Sequence, residues 1–426
     1  MTICRHDQAE PPESPPAGQE PPGEAGGAPA PPRPRAGLSR GATLLFAVAS
    51  GTAVANVYAA QPLLATLGQD FGLGEGVVGA VVTVTQAGYG LGLFLLVPLG
   101  DVLDRRRLVS AQSLLLAAAL AVLGTAGAAP ALFAAAAAVG FLAVVTQSLV
   151  AFAAALAGPE RRGRVVGQVT SGVVVGILLA RTVSGLLADA AGWRAVYLVS
   201  ATATLLLALA LRRALPPQTG ARPGRPSYPA LLRSTVMLFV EEPLLRARGM
   251  LALLVFAAFS TLWSCVALPL SAPPLSLSHT AIGAFGLAGA AGALAAAPAG
   301  RLHDRGHAGR TTGVALLLLT LSWLPLALTG ESLWALAAGA ILLDLAVQAV
   351  HVTSQSMIYT RRPDAGGRVI GGYMIFYSAG SALGALASTS LYAAAGWPAV
   401  CLLGAAFSLL ASAVWAATRE RPGRRP

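Results

Sequence analysis

The sequence predicts an all-α integral membrane protein in which twelve transmembrane helices form two homologous six-helix bundles. Three observations carry this prediction: the composition, a series of long apolar runs, and an internal repeat. Of the 426 residues, 55% are hydrophobic and 11% are charged, and the mean hydropathy is +0.67. Soluble domains carry about 25% charged residues, so a soluble fold is excluded.

The apolar runs are each long enough to cross a hydrocarbon core about 30 Å thick as a helix. We predict twelve spans, at residues 41–66, 76–98, 108–128, 131–157, 164–188, 192–211, 249–270, 280–299, 311–329, 332–357, 368–391 and 397–417.

The internal repeat matches short segments of the two halves in the same order. "GDVLDRR" at 100–106 recurs as "GRLHDRG" at 300–306, "GRVVG" at 163–167 as "GRVIG" at 367–371, and "AGWRAV" at 191–196 as "AGWPAV" at 395–400. The offsets are 200, 204 and 204 residues, which indicates two homologous halves of six spans each.

The spans and the repeat divide the chain into five segments. They are a disordered Pro-rich tail at 1–40, an N-terminal bundle at 41–211, a central loop at 212–248, a C-terminal bundle at 249–417 and a short tail at 418–426. The tail composition is typical of disorder. The stretch "SYPALLRSTVMLFVEEPLLR" in the central loop could contain a helix that lies on the membrane surface.

The charge distribution predicts the orientation in the membrane. The net charge is +11, and all 29 basic residues are arginines. With twelve spans and an inside N-terminus, all of them except Arg181 and Arg194 fall in cytoplasmic segments. Because positive loops are retained inside during insertion, both termini are predicted to be cytoplasmic and the protein to lie in the plasma membrane. The anionic inner leaflet is the expected partner of the arginines.

Several other classes of function are not supported by the sequence. No basic stripe is interleaved with aromatic residues, so nucleic-acid binding is not expected. The three cysteines show neither a disulfide framework nor metal-ligand spacing. There is no phosphate-binding "GxxxxGK" loop and no lysine at all, which disfavours ATP-driven pumping. We therefore expect no enzymatic activity, no cofactor and no metal, and we expect a monomer.

The whole region from about residue 41 to 417 resembles the major facilitator superfamily of secondary transporters. In that family the loop after the second and eighth spans follows the pattern Gly-x-x-x-Asp-Arg-x-Gly-Arg. The two copies in this sequence are matched by Gly100, Asp104 and Arg105 and by Gly300, Asp304 and Arg305. The first copy departs from the pattern, because Arg107 stands where the second glycine is expected.

The resemblance implies that this doubled motif latches one conformation of an alternating-access cycle. The glycines permit close helix approach, and the aspartates and arginines can pair across the seam between the halves. The alternative is that these arginines only set the topology. The fifth span also resembles the antiporter pattern Gly-x8-Gly-x3-Gly-Pro-x2-Gly-Gly, with Gly167, Gly176 and "ARTVSG" at 180–185, although Arg181 replaces the proline.

A polar stripe interrupts the tenth span. Asp344, Gln348, His351 and Gln355 are spaced 4, 3 and 4 residues apart, so a helix places them on one face. The resemblance implies that spans 1, 4, 7 and 10 line a central cavity. Asp344 is the only acidic residue deep in a predicted span, and a charge there costs about 2.5–3.5 kcal/mol on insertion scales. We predict that Asp344 and His351 couple transport to protons; the alternative is a network that only fixes packing.

The remaining candidate cavity residues are polar or aromatic side chains of other spans. They are Asn56, Tyr58, Gln61, Gln86, Tyr89, Thr146, Gln147, Arg181, Trp263, Gln348, Gln355, Tyr373 and Tyr377. Arg181 could attract an anionic substrate, pair with Asp344 in one state, or snorkel outward. Aromatic residues of this kind more often serve interior packing than ligand contact.

The expected function is proton-coupled export of a small organic molecule, as an antiporter. Proton-linked uptake of a sugar, nucleoside or organic acid is the alternative within the same class. A membrane sensor that does not transport is the alternative from another class, and it would need no proton flux. The substrate cannot be derived from any motif, because cavity shape decides it.

Overall fold

The computed structural model describes residues 39–157, 161–215, 227–294, 296–361 and 366–418, and every regular element in these ranges is a helix. The predicted tails at 1–40 and 418–426 lie outside the described residues except for Ser39, Arg40 and Thr418. The predicted all-α membrane fold is therefore confirmed for the described chain.

The described part of the first half contains ten α-helices and a short 3-10 helix, Gln61–Leu63. The α-helices are α1 (Arg40–Tyr58), α2 (Leu64–Asp70), α3 (Glu75–Val78), α4 (Ala80–Leu95), α5 (Leu99–Val102), α6 (Arg105–Gly124), α7 (Ala129–Ala143), α8 (Val145–Leu156), α9 (Arg162–Ala191) and α10 (Trp193–Ala214). The first span consists of α1 and α2, the second of α3 to α5 and the fourth of α7 and α8, while α6, α9 and α10 are the third, fifth and sixth spans.

The second half begins after a connecting helix, α11 (Tyr228–Glu241), which lies inside the predicted central loop. It contains α12 (Pro243–Trp263), α13 (Ala267–Ser271), α14 (His279–Leu294), α15 (Ala296–Asp304), α16 (Ala308–Leu321), α17 (Trp323–Ala327), α18 (Leu333–Arg361) and α19 (Gly366–Thr418). The seventh span consists of α12 and α13, the eighth of α14 and α15 and the ninth of α16 and α17. The tenth span is α18, and α19 contains the last two.

Ten helical stretches of the described residues are long and apolar enough to cross a membrane. The last of them, Arg368–Thr418, contains two spans, because Gly396 leaves the helical conformation with φ 74° and turns the chain back. The eighth predicted span is absent from the ten because residue 295, between α14 and α15, lies outside the described residues. The ten stretches therefore cover eleven of the twelve predicted spans, and α14 and α15 lie at the position of the eighth.

Local sequence sets where two of the helices begin. The side chain of Ser39 accepts a hydrogen bond from the Ala42 backbone N–H at 3.1 Å, and Asp104 accepts one from Arg107 at 2.8 Å. Side-chain caps of this kind satisfy amides that have no partner inside the helix and are worth about 1 kcal/mol.

Equivalent pairs of helices touch through their backbones in the two halves. A Cβ atom at Gly176 of α9 would collide with the carbonyl of Gly51 in α1, and a Cβ atom at Gly380 of α19 would collide with the carbonyl of Leu253 in α12. Gly176 and Gly380 are related by the 204-residue offset of the repeat. Close approach through small residues is how membrane helices gain packing energy, so the same device holds the first and fifth spans and the seventh and eleventh spans together.

Successive spans alternate in direction, so the bundle has two distinguishable ends. We call the end at which α6 and α9 begin the arginine-rich end, because Arg105, Arg106, Arg107, Arg161, Arg162 and Arg164 lie there. The opposite, arginine-poor end has short connections. Gly192 alone separates α9 from α10, residues 125–128 join α6 to α7, residues 328–332 join α17 to α18, and Gly396 joins the last two spans.

The two halves are joined by hydrogen bonds at the arginine-poor end. At the end of α9, Asp189 accepts hydrogen bonds from the backbone N–H groups of His279, at 3.1 Å, and Thr280, at 2.7 Å, which begin α14. The ring of His279 lies 2.7 Å from Asp189 through Nδ1 and 2.7 Å from the Thr66 hydroxyl through Nε2. We refer to Thr66, Asp189, His279 and Thr280 as the end clamp.

The other direct hydrogen bonds between the halves, within the described ranges, lie near the clamp or near the middle of the bundle. Examples are Ser390 Oγ to the Gly76 carbonyl at 3.2 Å and Thr83 Oγ1 to the Ala382 carbonyl at 3.2 Å. At the arginine-rich end, α11 lies between the halves, since its Tyr228 donates to the Leu95 carbonyl at 2.8 Å. The structure is therefore closed at the arginine-poor end.

Candidate functional site

The polar stripe of the tenth span faces the other helices. Asp344 is buried, with 7% of its surface exposed, whereas Gln348, His351 and Gln355 are partly exposed. The buried end of the stripe is therefore the end that carries the carboxylate.

Asp344 is held by the seventh and eighth spans. The indole Nε1 of Trp263 in α12 donates a hydrogen bond to Asp344 Oδ1 at 3.0 Å. The other carboxylate oxygen lies against Gly289 of α14, where any side chain would collide with it. Among the described residues Asp344 forms no ion pair within 4.0 Å. The carboxylate thus has one neutral donor and no directly bound cation.

His351 lies two turns from Asp344, about 10 Å along the helix axis. Its Nδ1 is 3.1 Å from the hydroxyl of Tyr373. Its ring packs edge-on against Phe256 at a centroid distance of 5.2 Å and lies 6.1 Å from the ring of Tyr377. The Tyr373 hydroxyl forms a hydrogen bond with one ring nitrogen, and this bond fixes the orientation of the His351 ring.

Arg181 of the fifth span is buried, with 3% of its surface exposed, so the alternative of outward snorkelling is wrong. Its Nε donates a hydrogen bond to Gln61 Oε1 at 2.6 Å. The guanidinium carbon lies 4.1 Å from the ring centroid of Trp263, 5.4 Å from that of Tyr58 and 5.5 Å from that of Phe259. Rings at such distances attract a cation, each by about 0.5–2 kcal/mol.

Trp263 connects the buried cation to the buried carboxylate. The face of its indole lies under Arg181 while its edge donates to Asp344. The two charges attract each other across the ring without direct contact. The structure thus brings together Arg181 from one half of the chain and Asp344 from the other, with an aromatic side chain between them.

Other predicted cavity residues surround this core. The hydroxyls of Tyr58 and Tyr377 are in hydrogen-bond contact across the two halves. Asn56 donates to the Thr52 carbonyl at 2.9 Å, and Thr146 donates to the Ser50 carbonyl at 3.2 Å, so both are satisfied by backbone.

The remaining predicted residues differ in burial and in their partners. Gln86 is buried and its Oε1 has no partner among the described residues, whereas Tyr89 lies beside the partly exposed Gln147. Gln355 approaches the Met374 sulfur at 3.7 Å. Among the described residues, these side chains form no hydrogen bond with Arg181 or Asp344.

The predicted latch residues make local contacts in this structure. Asp104 caps α6, and Arg105 pairs with Asp101 at 3.1 Å and donates to the Gly100 carbonyl at 3.0 Å. The space around Gly300 is open. Arg305 is exposed, and the side chain of Asp304 lies outside the described residues. The latch stays a prediction, and here its N-terminal copy stabilises its own loop.

The sequence analysis named Trp263 but did not identify Phe256, Phe259 or the end clamp. Phe256, Phe259 and Trp263 are spaced 3 and 4 residues apart, so α12 places them on one face. That spacing was a signal that could have identified the aromatic wall. Asp189 and His279 gave no comparable signal, because they lie at the ends of spans that are far apart in the chain.

The chain belongs to the Major Facilitator Superfamily, whose sequence profile matches residues 45–312 and 250–426. It is 45% identical over 383 residues to the uncharacterized transporter YgaY of Escherichia coli K12, covering 90% of this chain and 97% of the relative. It is 33% identical over 386 residues to the transporter SCO4007 of Streptomyces coelicolor, covering 89% and 87%. The protein is therefore a multi-pass membrane transporter of this superfamily, and a transporter implies a small-molecule substrate.

Solved structures share the fold at low sequence identity. A bacterial homologue of the human lysosomal transporter Spinster, in an inward-facing and occupied conformation, aligns with TM-score 0.71 and 16% identity, covering 89% of this chain and 98% of that one. The human organic anion transporter MFSD10 aligns with TM-score 0.59 and 19% identity, covering 89% and 100%.

Proposed function

We propose that this transporter is a proton-coupled antiporter that exports a small organic molecule across the plasma membrane by alternating access. Its arginine-rich end, with both termini, faces the cytoplasm. In this orientation the end clamp closes the outer side, and the described conformation is the one that loads from the cytoplasm.

The observation that carries the proposal is the environment of Asp344. A buried carboxylate without a bound cation is costly, and such groups inside membrane proteins mark ion pathways. Asp344 accepts one hydrogen bond from Trp263 and is in the field of Arg181. A carboxylate with so little direct compensation can take up a proton and release it when its surroundings change.

The two charges give the proton a way to bias the conformation. With Asp344 ionised, its attraction to Arg181 holds groups from both halves around Trp263. With Asp344 protonated, this attraction is lost while the cation remains. A ligand shifts an equilibrium only by its differential free energy for the two states, and here the proton acts as such a ligand. A proton that moves through ~100 mV supplies about 2.3 kcal/mol to the cycle.

His351 offers an intermediate position on the way to the cytoplasm. It shares the helix face with Asp344, it is partly exposed, and the Tyr373 hydroxyl orients its ring. A proton arriving at Asp344 from outside would leave along this face.

The proposal is tested with purified protein in proteoliposomes that contain a pH-sensitive dye. A panel of small organic cations, anions and neutral compounds is added, and both proton movement and compound accumulation are followed under an imposed pH gradient. We expect Asp344→Asn to remain folded and to exchange substrate, because asparagine keeps the size and hydrogen bonding of the side chain. It should lose accumulation driven by the pH gradient.

The matched control is Glu331→Gln, which removes an exposed acid from the connection between the ninth and tenth spans. This variant should behave as the wild type. Gradient-driven accumulation at the wild-type level in Asp344→Asn would refute the assignment of Asp344 as the proton-coupling group. The polar stripe would then be a packing network. Absence of proton movement with every transported compound would reject proton coupling as a whole.

A further inference from the structure

The guanidinium of Arg181 lies at the boundary between the two halves. Gln61 and Tyr58 cover it from the same half of the chain, whereas Phe259 and Trp263 cover it from the other half. Separation of the halves would therefore uncover one side of this charge. A group in this position meets whatever occupies the space between the halves during a transport cycle.

The hydrogen-bonding capacity of this cluster is not used up. A guanidinium carries five N–H donors, and Arg181 uses its Nε–H with Gln61. Its Nη2 is buried and has no partner among the described residues. The Nε2 amide of Gln61 is also buried and without a partner in the described chain. Two side chains bonded to each other thus hold two donors that lack an acceptor.

The aromatic rings do not replace the missing acceptor. A ring attracts a cation through its face, and the indole of Trp263 lies under the guanidinium at 4.1 Å. The N–H groups of a guanidinium point outward in its plane, where they match the two oxygens of a carboxylate. Leaving a buried donor unpaired costs about 1–3 kcal/mol, and more for a charged group, so an acceptor that reaches these donors gains free energy.

Protonation of Asp344 would give the site a net positive charge, which favours an anion. Asp344 attracts Arg181 across the indole of Trp263 but makes no ion pair with it. This step rests on the proposed protonation of Asp344 and not on the proposed direction of transport: once a proton neutralises Asp344, Arg181 is left as the uncompensated charge of the cluster. A bound anion would then be the counter-charge, and its binding would be stronger when Asp344 is neutral. Because the proton and the anion would then bind together, a carboxylate substrate would move in the same direction as the proton, as in the alternative of proton-linked uptake of an organic acid.

We propose that Arg181 and Gln61 bind the carboxylate of a small organic acid, and that the aromatic or apolar part of this substrate lies against Tyr58, Phe259 and Trp263. Two neighbouring donor groups and an aromatic wall select a planar anion next to an apolar body. The substrates that this site recognises are small organic carboxylates.

The experiment measures binding of benzoate, phenylacetate and salicylate to the purified full-length protein in detergent, with their neutral amides as shape-matched partners. Calorimetry and thermal stabilisation are the readouts, and neither needs transport or a pH gradient. We expect at least one carboxylate to bind the wild type at least about tenfold more tightly than its amide, the scale of one charged hydrogen bond.

Three variants and a control make the test specific. Arg181→Gln should lower carboxylate affinity by about tenfold to a hundredfold and leave amide affinity unchanged. Gln61→Glu should abolish carboxylate binding while raising thermal stability, because the new carboxylate would itself pair with Arg181. Asp344→Asn should tighten carboxylate binding, because it removes the competing charge. Arg194→Gln, which removes an exposed arginine paired with Asp70 at 3.2 Å, should leave binding unchanged.

The proposal is overturned if no carboxylate of the panel binds more tightly than its amide. It is also overturned if Arg181→Gln or Gln61→Glu, folded as judged by its elution profile and melting transition, binds the carboxylate as the wild type does. If Arg181→Gln does not fold, Gln61→Glu and Asp344→Asn still test the proposal. The first should abolish carboxylate binding, and the second should tighten it. Loss of proton coupling in the transport assay with carboxylate binding intact would reject the proposed function and leave the binding site standing.

Discussion

Replacement of Asp189 by alanine should open the arginine-poor end of the protein. Asp189 lies at the end of α9 in one half and contacts the first residues of α14 in the other half. It accepts hydrogen bonds from the backbone N–H groups of His279 and Thr280. It therefore acts as a helix cap supplied by the opposite half, and it also contacts the ring of His279 at 2.7 Å. Removing its carboxylate removes all three contacts from the closed state and none from within either half.

The size of the effect follows from these contacts. Loss of a side-chain cap costs about 0.5–2 kcal/mol. A partly exposed contact between a carboxylate and a histidine adds at most about 1 kcal/mol, because solvent screens it. With 1.4 kcal/mol for each tenfold change, the ratio of closed to open protein should fall by about twofold to a hundredfold.

A cysteine at position 389 would report this change. Thr389 of α19 is fully buried and packs against Gly79 of the second span, so a thiol there is shielded while the halves are closed. In a background without native cysteines, we expect Asp189→Ala to raise the rate at which Thr389→Cys reacts with a membrane-impermeant maleimide by the same factor. The matched control is Asp70→Ala, which breaks contacts with Trp193 and Arg194 inside a single half and should not change the rate.

An unchanged labelling rate in a folded Asp189→Ala variant would refute the clamp as a determinant of closure. Equal acceleration by Asp70→Ala would show instead that loss of any acidic charge at this end loosens the protein.

Two further predictions concern packing and the latch. Gly380→Ala should lower the free energy of unfolding by about 1–3 kcal/mol, because its methyl group meets the Leu253 carbonyl. The added methyl group of Gly167→Ala meets no atom within 4 Å, so this variant should be neutral or stabilising in the same melting experiment. Asp104→Asn should fold normally, because asparagine can still cap the Arg107 amide, and should slow transport in proteoliposomes if the latch balances the two open states. Unchanged transport and unchanged thiol accessibility in Asp104→Asn would remove the latch from the mechanism.

The sequence predicted the elements of this fold well, because a bilayer imposes length and apolarity on every span. The 204-residue offset of the repeat also relates Gly176 to Gly380, whose close contacts join equivalent helix pairs in the two halves. Spacing alone identified the stripe of Asp344 and His351, since side chains four and three residues apart share a helix face.

The contacts within the site were beyond sequence reasoning. Whether Trp263 contacts Asp344, Arg181 or both depends on how α12 is rotated and shifted against α9 and α18, and packing of whole helices decides that register. The same holds for Arg181, which stands where the resembling antiporter pattern has a proline. The sequence left three roles open for Arg181, and its burial excludes outward snorkelling.

The brevity of the connections at the arginine-poor end has a consequence for how the protein meets its surroundings. With the proposed orientation, the face turned to the outside consists of helix ends joined by at most seven residues, as at 272–278, and by single glycines at Gly192 and Gly396. Such a surface offers few extended segments to an external protease and few protruding epitopes to an antibody. Tags, cleavage sites and regulatory proteins therefore have their access from the cytoplasm.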